Sequence, residues 1–218
     1  MMFQNVKTIF FDYDGTLHDS IKIYAPAFKK AYEYLAAEGH VEERVWEEKE
    51  ISHWLGFTRK EMWEKFMPEL DEEIKDRCSS IIGKEMKKQM ADGNSVLYDG
   101  TIETLKYLKD KGYRLVFLSN CGIEYRNSVN ELFQLDQYFE ALVCAEDYDY
   151  IPKYEILGKI MDKYPQEMIM VGDRMKDIEA GVKNNIYTVG CSYGFGEKEE
   201  LVESDIIIND IKELTKYL

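Results

Sequence analysis

Residues 10–17 read FFDYDGTL and complete an apolar run that begins at Val6. Two carboxylates, Asp12 and Asp14, stand two residues apart at the point where this run ends. A short apolar run of this kind predicts a buried strand, and open α/β sheets bind ligands at the carboxyl ends of their strands. Such a carboxylate pair can bind Mg²⁺ through oxygen ligands while one oxygen stays free to attack phosphorus. The stretch therefore predicts an α/β fold and marks a candidate site.

Further apolar runs recur along the chain, and each is followed by polar or glycine-containing sequence. With the first run, the predicted strands are Val6–Phe11, Leu115–Leu118, Ala141–Cys144, Met168–Val171, Tyr187–Val189 and Ile206–Ile208. Helical patterns lie between them, at 101–111 and 153–164. Strands that alternate with helices predict a mostly parallel sheet covered on both faces. We therefore expect an α/β, Rossmann-like core of three layers.

The stretch between about residues 21 and 92 breaks this alternation, because it contains no convincing strand. It carries a stripe at helical spacing, formed by Ile74, Ile81, Ile82 and Met86. An excursion of about 70 residues far exceeds the dozen that a crossover between parallel strands needs. An ordinary helical layer of a single domain is the alternative. We predict an inserted helical cap over the carboxyl ends of the strands, at 20–93, and an α/β core at 1–19 and 94–218.

The composition narrows the range of partners. The 218-residue chain has a formal net charge of −14, which argues against nucleic-acid binding because that needs a basic surface. No apolar stretch approaches the roughly 20 residues of a membrane helix, and the first run is too short for a signal peptide. We therefore predict a cytoplasmic protein that binds neither nucleic acid nor membrane. Since an acidic body repels phosphate, phosphate chemistry here needs a local positive charge.

The cysteine pattern gives no sign of a metal centre. The chain has four cysteines, at positions 78, 121, 144 and 191, and no two of them show metal-ligand spacing. We expect reduced thiols, several of them buried as small apolar residues, and no zinc site.

Other polar side chains also lie where predicted strands end or helices begin. Ser119 and Asn120 follow one strand and can donate hydrogen bonds to phosphate, although strand-end capping alone explains them better. Lys153 is at the start of a predicted helix, where the helix dipole favours anions. This unfavourable position of a cation indicates a functional role. A lone lysine is nevertheless more often a surface charge. Asp173 and Asp177 straddle a strand-to-helix turn, where helix capping by Asp177 is the alternative.

Four segments have now been singled out. Taken in order, they contain Asp12 and Asp14, then Ser119 and Asn120, then Lys153, and finally Asp173 and Asp177. They resemble the four motifs of the haloacid dehalogenase-like hydrolase superfamily. The resemblance is to its phosphoglycolate-phosphatase-like branch, which has a helical C1-type cap inserted after the first motif, and it covers nearly the whole chain. Residues 171–196, which read VGDRMKDIEAGVKNNIYTVGCSYGFG, resemble that branch closely. One departure is that proline precedes lysine in the third motif, as Pro152-Lys153, where many relatives have the reverse order. The segment Lys153-Tyr154-Glu155 resembles another variant of the branch.

The resemblance implies a role for each motif residue. Asp12 is implied as the nucleophile, and Asp14 as the general acid that protonates the leaving oxygen and later activates water. Ser119 and Asn120 are implied to hold the transferring phosphoryl group. Lys153 is implied to balance charge between the nucleophile and the phosphate.

The resemblance also implies Mg²⁺ as cofactor. Its implied ligands are Asp12, the backbone carbonyl of Asp14, and Asp173. Asp177 is implied to support the metal site, directly or through water. In the cap, residues 55–60 read LGFTRK, and Gly56 and Arg59 resemble a loop that faces the active site in some relatives. A helix-connecting turn with solvated charges is an equal alternative for that loop.

We expect a Mg²⁺-dependent phosphatase that hydrolyses small phosphorylated metabolites through an aspartyl phosphate. A phosphosugar mutase with the same intermediate is the main alternative, and the sequence does not separate the two. Dehalogenases of the superfamily typically lack the second carboxylate, and a non-catalytic regulatory protein would be expected to lose a motif aspartate. Asp14 and the other motif aspartates are present, so we rank the dehalogenase and the regulatory protein below the phosphatase and the mutase. The natural substrate and the oligomeric state stay open.

Overall fold

The computed structural model describes residues 3–165 and 167–218. In chain order its α-helices are α1 (Ile21–Ala37), α2 (Glu48–Ser52), α3 (Arg59–Phe66), α4 (Glu72–Ala91), α5 (Thr101–Asp110), α6 (Ile123–Phe133), α7 (Lys153–Ile160) and α8 (Met175–Lys183). Short 3₁₀ helices span Leu135–Gln137, Ala145–Tyr148, Met161–Lys163, Lys198–Leu201 and Ile211–Lys216. None of these described helices combines the length and the apolar character that crossing a membrane requires.

The chain divides into two compact units. The first comprises the residues up to His18 together with Leu97–Leu218, and the second comprises Asp19–Val96. The first unit holds the strands and α5–α8, and the second holds α1–α4. All residues of the second unit are described, and none of them belongs to a strand.

The first unit is built on a six-stranded sheet whose neighbouring strands are all parallel. The strands are β1 (Thr8–Phe11), β2 (Arg114–Ser119), β3 (Ala141–Cys144), β4 (Met168–Gly172), β5 (Tyr187–Cys191) and β6 (Ile206–Ile208). Their spatial order is β3-β2-β1-β4-β5-β6, so β1 lies between β2 and β4. Phe11, the last residue of β1, pairs with Phe117 and Val171, which brings three carboxyl ends to one edge. The predicted α/β fold is confirmed.

The central strands β1, β2 and β4 are buried on both faces, which explains why they are almost continuously apolar, whereas the edge strands β3 and β6 are partly exposed. One face packs against α7 and α8 in a cluster that includes Phe10, Val116, Met170, Ile156 and Ala180. Because successive side chains of a strand point to opposite faces, the side chain of Phe11 lies on the other face of the sheet. There the rings of Phe11 and Phe117 each meet Phe139 edge to face, with ring centroids 6.0 Å apart.

The helix predicted at 153–164 is shorter than expected. It ends as an α-helix at Ile160 and continues as a 3₁₀ turn over Met161–Lys163. The last carbonyls of an α-helix lack partners within the helix, and a tightened final turn satisfies some of them. Tyr164, whose amide donates to the Met161 carbonyl at 2.9 Å, closes this turn just before Pro165.

The second unit packs α1 against α4 and gathers aromatic side chains beside them. The ring of Phe28 meets Trp46 edge to face at 5.1 Å, and it also contacts Phe66 at 5.4 Å. Trp63 is buried, and its Nε1 donates to Ser79 Oγ at 2.8 Å. These contacts show that the aromatic residues of the insertion build the interior of this unit.

The buried face of α4 differs from the predicted stripe. Of the four stripe residues only Ile82 is buried, while the other three are half-buried. Lys75 and Glu85 are buried instead. Lys75 Nζ donates to the Pro68 carbonyl at 3.0 Å and to Glu72 at 2.8 Å, and Glu85 accepts from Lys30 Nζ at 2.6 Å. Because each charge has a local partner, it can lie on a face that a hydropathy pattern assigns to solvent.

All four cysteines are free thiols. Cys78, Cys144 and Cys191 are buried, and Cys121 is half-buried. This agrees with the expectation of reduced thiols that pack as small apolar side chains.

Candidate active site

Two carboxylates meet where the neighbouring strands β1 and β4 end. The amide of Asp12 donates to the Val171 carbonyl at 2.9 Å, which extends the pairing of the two strands by one residue. Asp173 directly follows β4. The sheet therefore carries both side chains to the same edge, and both are buried.

Lys153 lies at the centre of this group of charges. It is the first residue of α7, and its Nζ donates to Asp12 Oδ1 at 2.7 Å and to Asp177 Oδ1 at 2.6 Å. Burial alone would lower the pKa of this ammonium group, but the two carboxylates outweigh it and hold that pKa above its usual range. The reversed Pro-Lys order is thus compatible with contact between Lys153 and Asp12.

Asp177 is fixed from both sides. It lies in the first turn of α8, and its Oδ2 accepts the backbone N–H of Arg174, the residue that precedes the helix, at 2.9 Å. The side chain therefore caps the start of α8, as one alternative proposed, although from the third helical position. Its other oxygen accepts from Lys153, so a single carboxylate joins the helix end to the buried ammonium group.

Asp173 accepts two hydrogen bonds and is in close contact with the backbone of two glycines. Its Oδ2 accepts the amide of Phe195 at 2.7 Å, and its Oδ1 accepts the hydroxyl of Thr16 at 3.3 Å. Gly15 and Gly194 approach so closely that a Cβ atom on either would overlap Asp173. Gly15 also has a φ of +84°, a conformation that favours glycine. The glycine of the Asp-Gly-Thr segment thus allows both the turn and the close approach to Asp173.

The carboxylates of Asp12, Asp173 and Asp177 form a compact buried group. Each offers an oxygen within 4.8 Å of the others. Burial, followed by the Asp177 charge, raises the pKa of Asp12 from 3.8 to about 7, although Lys153 opposes the shift. Burial, followed by the charges of Asp12 and Asp177, raises the pKa of Asp173 well above its usual value. Three buried carboxylates against one ammonium group leave an excess of negative charge, so the donor set fits a hard divalent cation.

The carboxylate of Asp14 is not part of this group. Its Oδ1 accepts a hydrogen bond from the hydroxyl of Tyr125 at 2.7 Å and lies 3.6 Å from Nδ1 of His18. Its side chain is 17% exposed, whereas that of Asp12 is only 5% exposed. Burial and the Asp14 charge raise the pKa of Tyr125, so the phenol keeps its proton and acts as the donor.

Ser119 and Asn120 lie at the same edge of the sheet. Ser119 is the buried last residue of β2, next to β1, and Asn120 follows it half-buried. Their implied role in holding a phosphoryl group stays a prediction, as do the implied roles of the other motif residues.

Gly56 and Arg59, which the sequence analysis singled out as candidate cap contacts with substrate, lie in the second unit. Gly56 has a φ of +86° and lies in the turn before α3, and Thr58 caps the start of that helix in a reciprocal arrangement with Glu61. Arg59 is exposed and forms an ion pair with Asp76 of the same unit. Their predicted contact with substrate stays a prediction.

The structure adds residues that the sequence did not single out. Thr16 and the amide of Phe195 hold Asp173, and Tyr125 and His18 contact Asp14. Thr16 lies in the quoted Asp-Gly-Thr segment, and Phe195 lies in the quoted run 171–196. For Tyr125, which lies 111 positions from Asp14, no sequence signal was present.

Comparison with known proteins finds a family match over most of the chain. Residues 9–191 match the family of haloacid dehalogenase-like hydrolases. A phosphoglycolate phosphatase of Aliivibrio fischeri is 27% identical, with 100% of this chain and 98% of the relative covered. The pyrophosphatase PpaX of Halalkalibacterium halodurans is 25% identical, with 92% and 90% covered.

A solved structure has the same fold. The crystal structure of a predicted phosphatase from Clostridium acetobutylicum superposes with a TM-score of 0.83 at 27% identity, and 97% of each chain is covered. The family match runs from Ile9 in β1 to the end of β5 and includes Asp12, Asp173 and Asp177. The protein therefore belongs to the haloacid dehalogenase-like hydrolases and is a phosphatase of that family.

Proposed function

We propose that this protein hydrolyses small phosphate monoesters with Mg²⁺ and that Asp12 is its covalent nucleophile. The observation that carries the proposal is the buried contact of Lys153 with Asp12 and Asp177, 2.7 and 2.6 Å away, beside the third carboxylate of Asp173. An excess of buried negative charge destabilises a protein unless it serves a bound cation. A phosphate monoester brings further negative charge, so its binding here needs that cation.

The reaction has two steps. A carboxylate oxygen of Asp12 attacks phosphorus, the bond to the leaving oxygen breaks, and Asp14 gives that oxygen its proton. Asp14, now ionised, takes a proton from water, whose oxygen attacks the aspartyl phosphate and releases inorganic phosphate and free Asp12. Lys153 offsets charge on the nucleophile side, and Ser119 and Asn120 donate hydrogen bonds to the phosphoryl oxygens.

The metal would be held by Asp12 and Asp173, with the backbone carbonyl of Asp14 as a further ligand. Asp177 would support the site from outside, because its two oxygens already accept from Lys153 and from the backbone of Arg174. Bound Mg²⁺ supplies positive charge for the phosphoryl oxygens. It would also keep Asp12 ionised at neutral pH, against the burial that raises its pKa to about 7.

The substrate class follows from the chemistry and from the relatives. A relative named phosphoglycolate phosphatase covers the whole chain, and a second relative is named a pyrophosphatase. We propose a small phosphorylated metabolite, with phosphoglycolate as the first compound to test and pyrophosphate as the second. A cytoplasmic location is part of the same proposal, and cell fractionation tests it.

A substrate panel tests the proposal directly. The purified protein is treated with EDTA and then assayed on phosphoglycolate, sugar phosphates, nucleotides, pyrophosphate and an aryl phosphate, with and without added Mg²⁺. We expect phosphate release that depends on Mg²⁺. Full activity in EDTA would contradict the metal site, and migration of the phosphoryl group without phosphate release would identify a mutase instead.

A further inference from the structure

The hydroxyl of Tyr125 lies against the proposed general acid. Tyr125 is in the first turn of α6, which follows the Ser119-Asn120 segment at the end of β2. Its hydroxyl donates to Asp14 Oδ1 at 2.7 Å, the usual length of a strong O–H to carboxylate hydrogen bond. The bond thus links the helix after the second motif to the second aspartate of the first motif.

A buried histidine holds the tyrosine from a second direction. Nδ1 of His18 lies 3.3 Å from the Tyr125 hydroxyl, and the His18 side chain is fully buried. Its ring stacks on Tyr13 with centroids 5.0 Å apart and planes 11° from parallel. With the proton assigned to Nδ1, His18 donates to the tyrosine oxygen while the tyrosine donates to Asp14. In that tautomer the Tyr125 hydroxyl takes part in two hydrogen bonds, one donated to Asp14 and one accepted from His18.

We propose that Tyr125 is a positioning residue that orients the Asp14 carboxyl group for proton transfer to the leaving oxygen. The bond occupies Oδ1, so Oδ2 is the oxygen left to carry the transferable proton. Proton transfer needs hydrogen-bond distance and alignment, and a misplacement of about 1 Å can cost about 10²-fold in rate. The inference rests on the proposed function, because it assumes that Asp14 acts as the acid.

The alternative is that Tyr125 only supports the fold. A structural role would lower the rates for all substrates alike, whereas a role in orienting the acid depends on the leaving group. An aryl leaving group is stable as an anion and needs little protonation, but an alkyl leaving group needs a proton. The parameter kcat/KM reports only the steps up to departure of the leaving group, so it separates the two roles.

The test compares Tyr125→Phe with the wild-type protein on an alkyl phosphate and an aryl phosphate, both with Mg²⁺. We expect kcat/KM for the alkyl ester to fall by about 10- to 100-fold and that for the aryl ester by less than about threefold. Tyr164→Phe is the matched control, because Tyr164 packs edge to face on Phe10 in the core, and it should leave both values unchanged.

A double-mutant cycle with Asp14→Asn tests whether Tyr125 acts through Asp14. Adding Tyr125→Phe to Asp14→Asn should bring no further loss on the alkyl ester. An equal loss on both esters, no loss on either, or an additive loss in the double variant would overturn the inference and leave the proposed function standing. A wild-type protein that hydrolyses neither ester would contradict the proposed function, and the inference with it. Thermal unfolding of each variant establishes that the loss is measured on folded protein.

Discussion

The buried charges of α4 in the second unit and those of the candidate site in the first unit are arranged in opposite ways. In the second unit, buried Lys75 and Glu85 each pair with a more exposed partner of opposite charge, Glu72 and Lys30. In the first unit, one buried ammonium group faces three buried carboxylates. Balanced local pairs serve the packing of helices, whereas an unbalanced buried group costs stability until a ligand neutralises it. Burial of charge therefore indicates a site only when the charges do not cancel.

The comparison also explains why the pKa values of carboxylates are raised in the candidate site and lowered in α4. Burial, with like charges nearby, raises the pKa values of Asp12 and Asp173. In the second unit, the hydrogen bond from Lys30 instead lowers the pKa of Glu85, as expected for a carboxylate with a cationic partner. Shifted carboxylates in a group of like charge are typical of functional sites.

The largest expected effect comes from replacing Asp12, the proposed nucleophile in the buried group of carboxylates. Asp12→Asn should abolish phosphate release, by at least about 10⁴-fold, because an amide cannot form the acyl phosphate. Phosphate release with Mg²⁺ is the measurement. Asp136→Asn, at an exposed carboxylate of the same unit, is the control and should keep wild-type activity. Measurable turnover in Asp12→Asn, beyond traces from deamidation, would point to another nucleophile.

The next prediction compares the two buried lysines directly. Lys153→Met should lower kcat by about 10²- to 10³-fold, because it removes the cation beside the nucleophile. Lys75→Met should lower the free energy of unfolding by about 1–3 kcal/mol, through the loss of its hydrogen bonds, and leave kcat unchanged.

Steady-state kinetics and chemical denaturation of both variants measure the two effects. A loss of kcat in Lys75→Met, measured at a temperature where the variant is fully folded, would contradict the prediction that Lys75 stabilises the fold without affecting the reaction. Full activity in Lys153→Met would show that Lys153 is not needed at the site.

The third prediction concerns pH and metal. The pKa of Asp12 is raised from 3.8 to about 7, so the metal-free folded state binds this proton more tightly than the unfolded state does. Stability from this group is therefore greatest below pH 4 and is lost as the pH rises to about 7. Mg²⁺ binds the ionised forms of Asp12 and Asp173, and the pKa values of both are raised, so its apparent affinity should increase as the pH rises through about 7.

Thermal unfolding with and without Mg²⁺ at pH 5.5 and pH 8 measures this linkage. We expect a larger increase of Tm on Mg²⁺ addition at pH 8. Asp12→Asn should reduce the pH dependence, since it removes the titrating group. An equal Mg²⁺ effect at both pH values would show that Asp12 does not exchange a proton for the metal.

The sequence predicts the fold more completely than it predicts the contacts of the site. The six strands were predictable because buried parallel strands are continuous apolar runs, and their ends shift by at most two residues. The positions of Asp12 and Asp173 were predictable because both lie within two residues of the ends of those runs. The buried Lys75 and Glu85 were not, because a hydropathy pattern does not show which charges pair. Tyr125 was not predictable either, because only the folded chain brings it to Asp14.

The smallest expected effect concerns Arg59, for which the sequence and the structure suggest different roles. The sequence predicts that this arginine contacts the substrate, whereas the structure gives it an ion pair with Asp76 within the second unit. Both side chains are more than half exposed, at 54% and 68%, and an exposed ion pair contributes only about 0–1 kcal/mol. The pair therefore leaves room for a role in binding, and two variants separate the roles.

If Arg59 contacts the substrate, Arg59→Ala should raise KM about three- to tenfold for the substrate found in the panel, since it removes one exposed charge contact worth about 1 kcal/mol. It should barely change KM for a small aryl phosphate. Asp76→Ala breaks the same ion pair and leaves the arginine in place, so its KM should not rise. If Arg59 only supports its unit, both variants should lower Tm by the same small amount and neither should change KM. An equal rise of KM in the two variants would show that the ion pair itself is needed and would assign Arg59 a structural role.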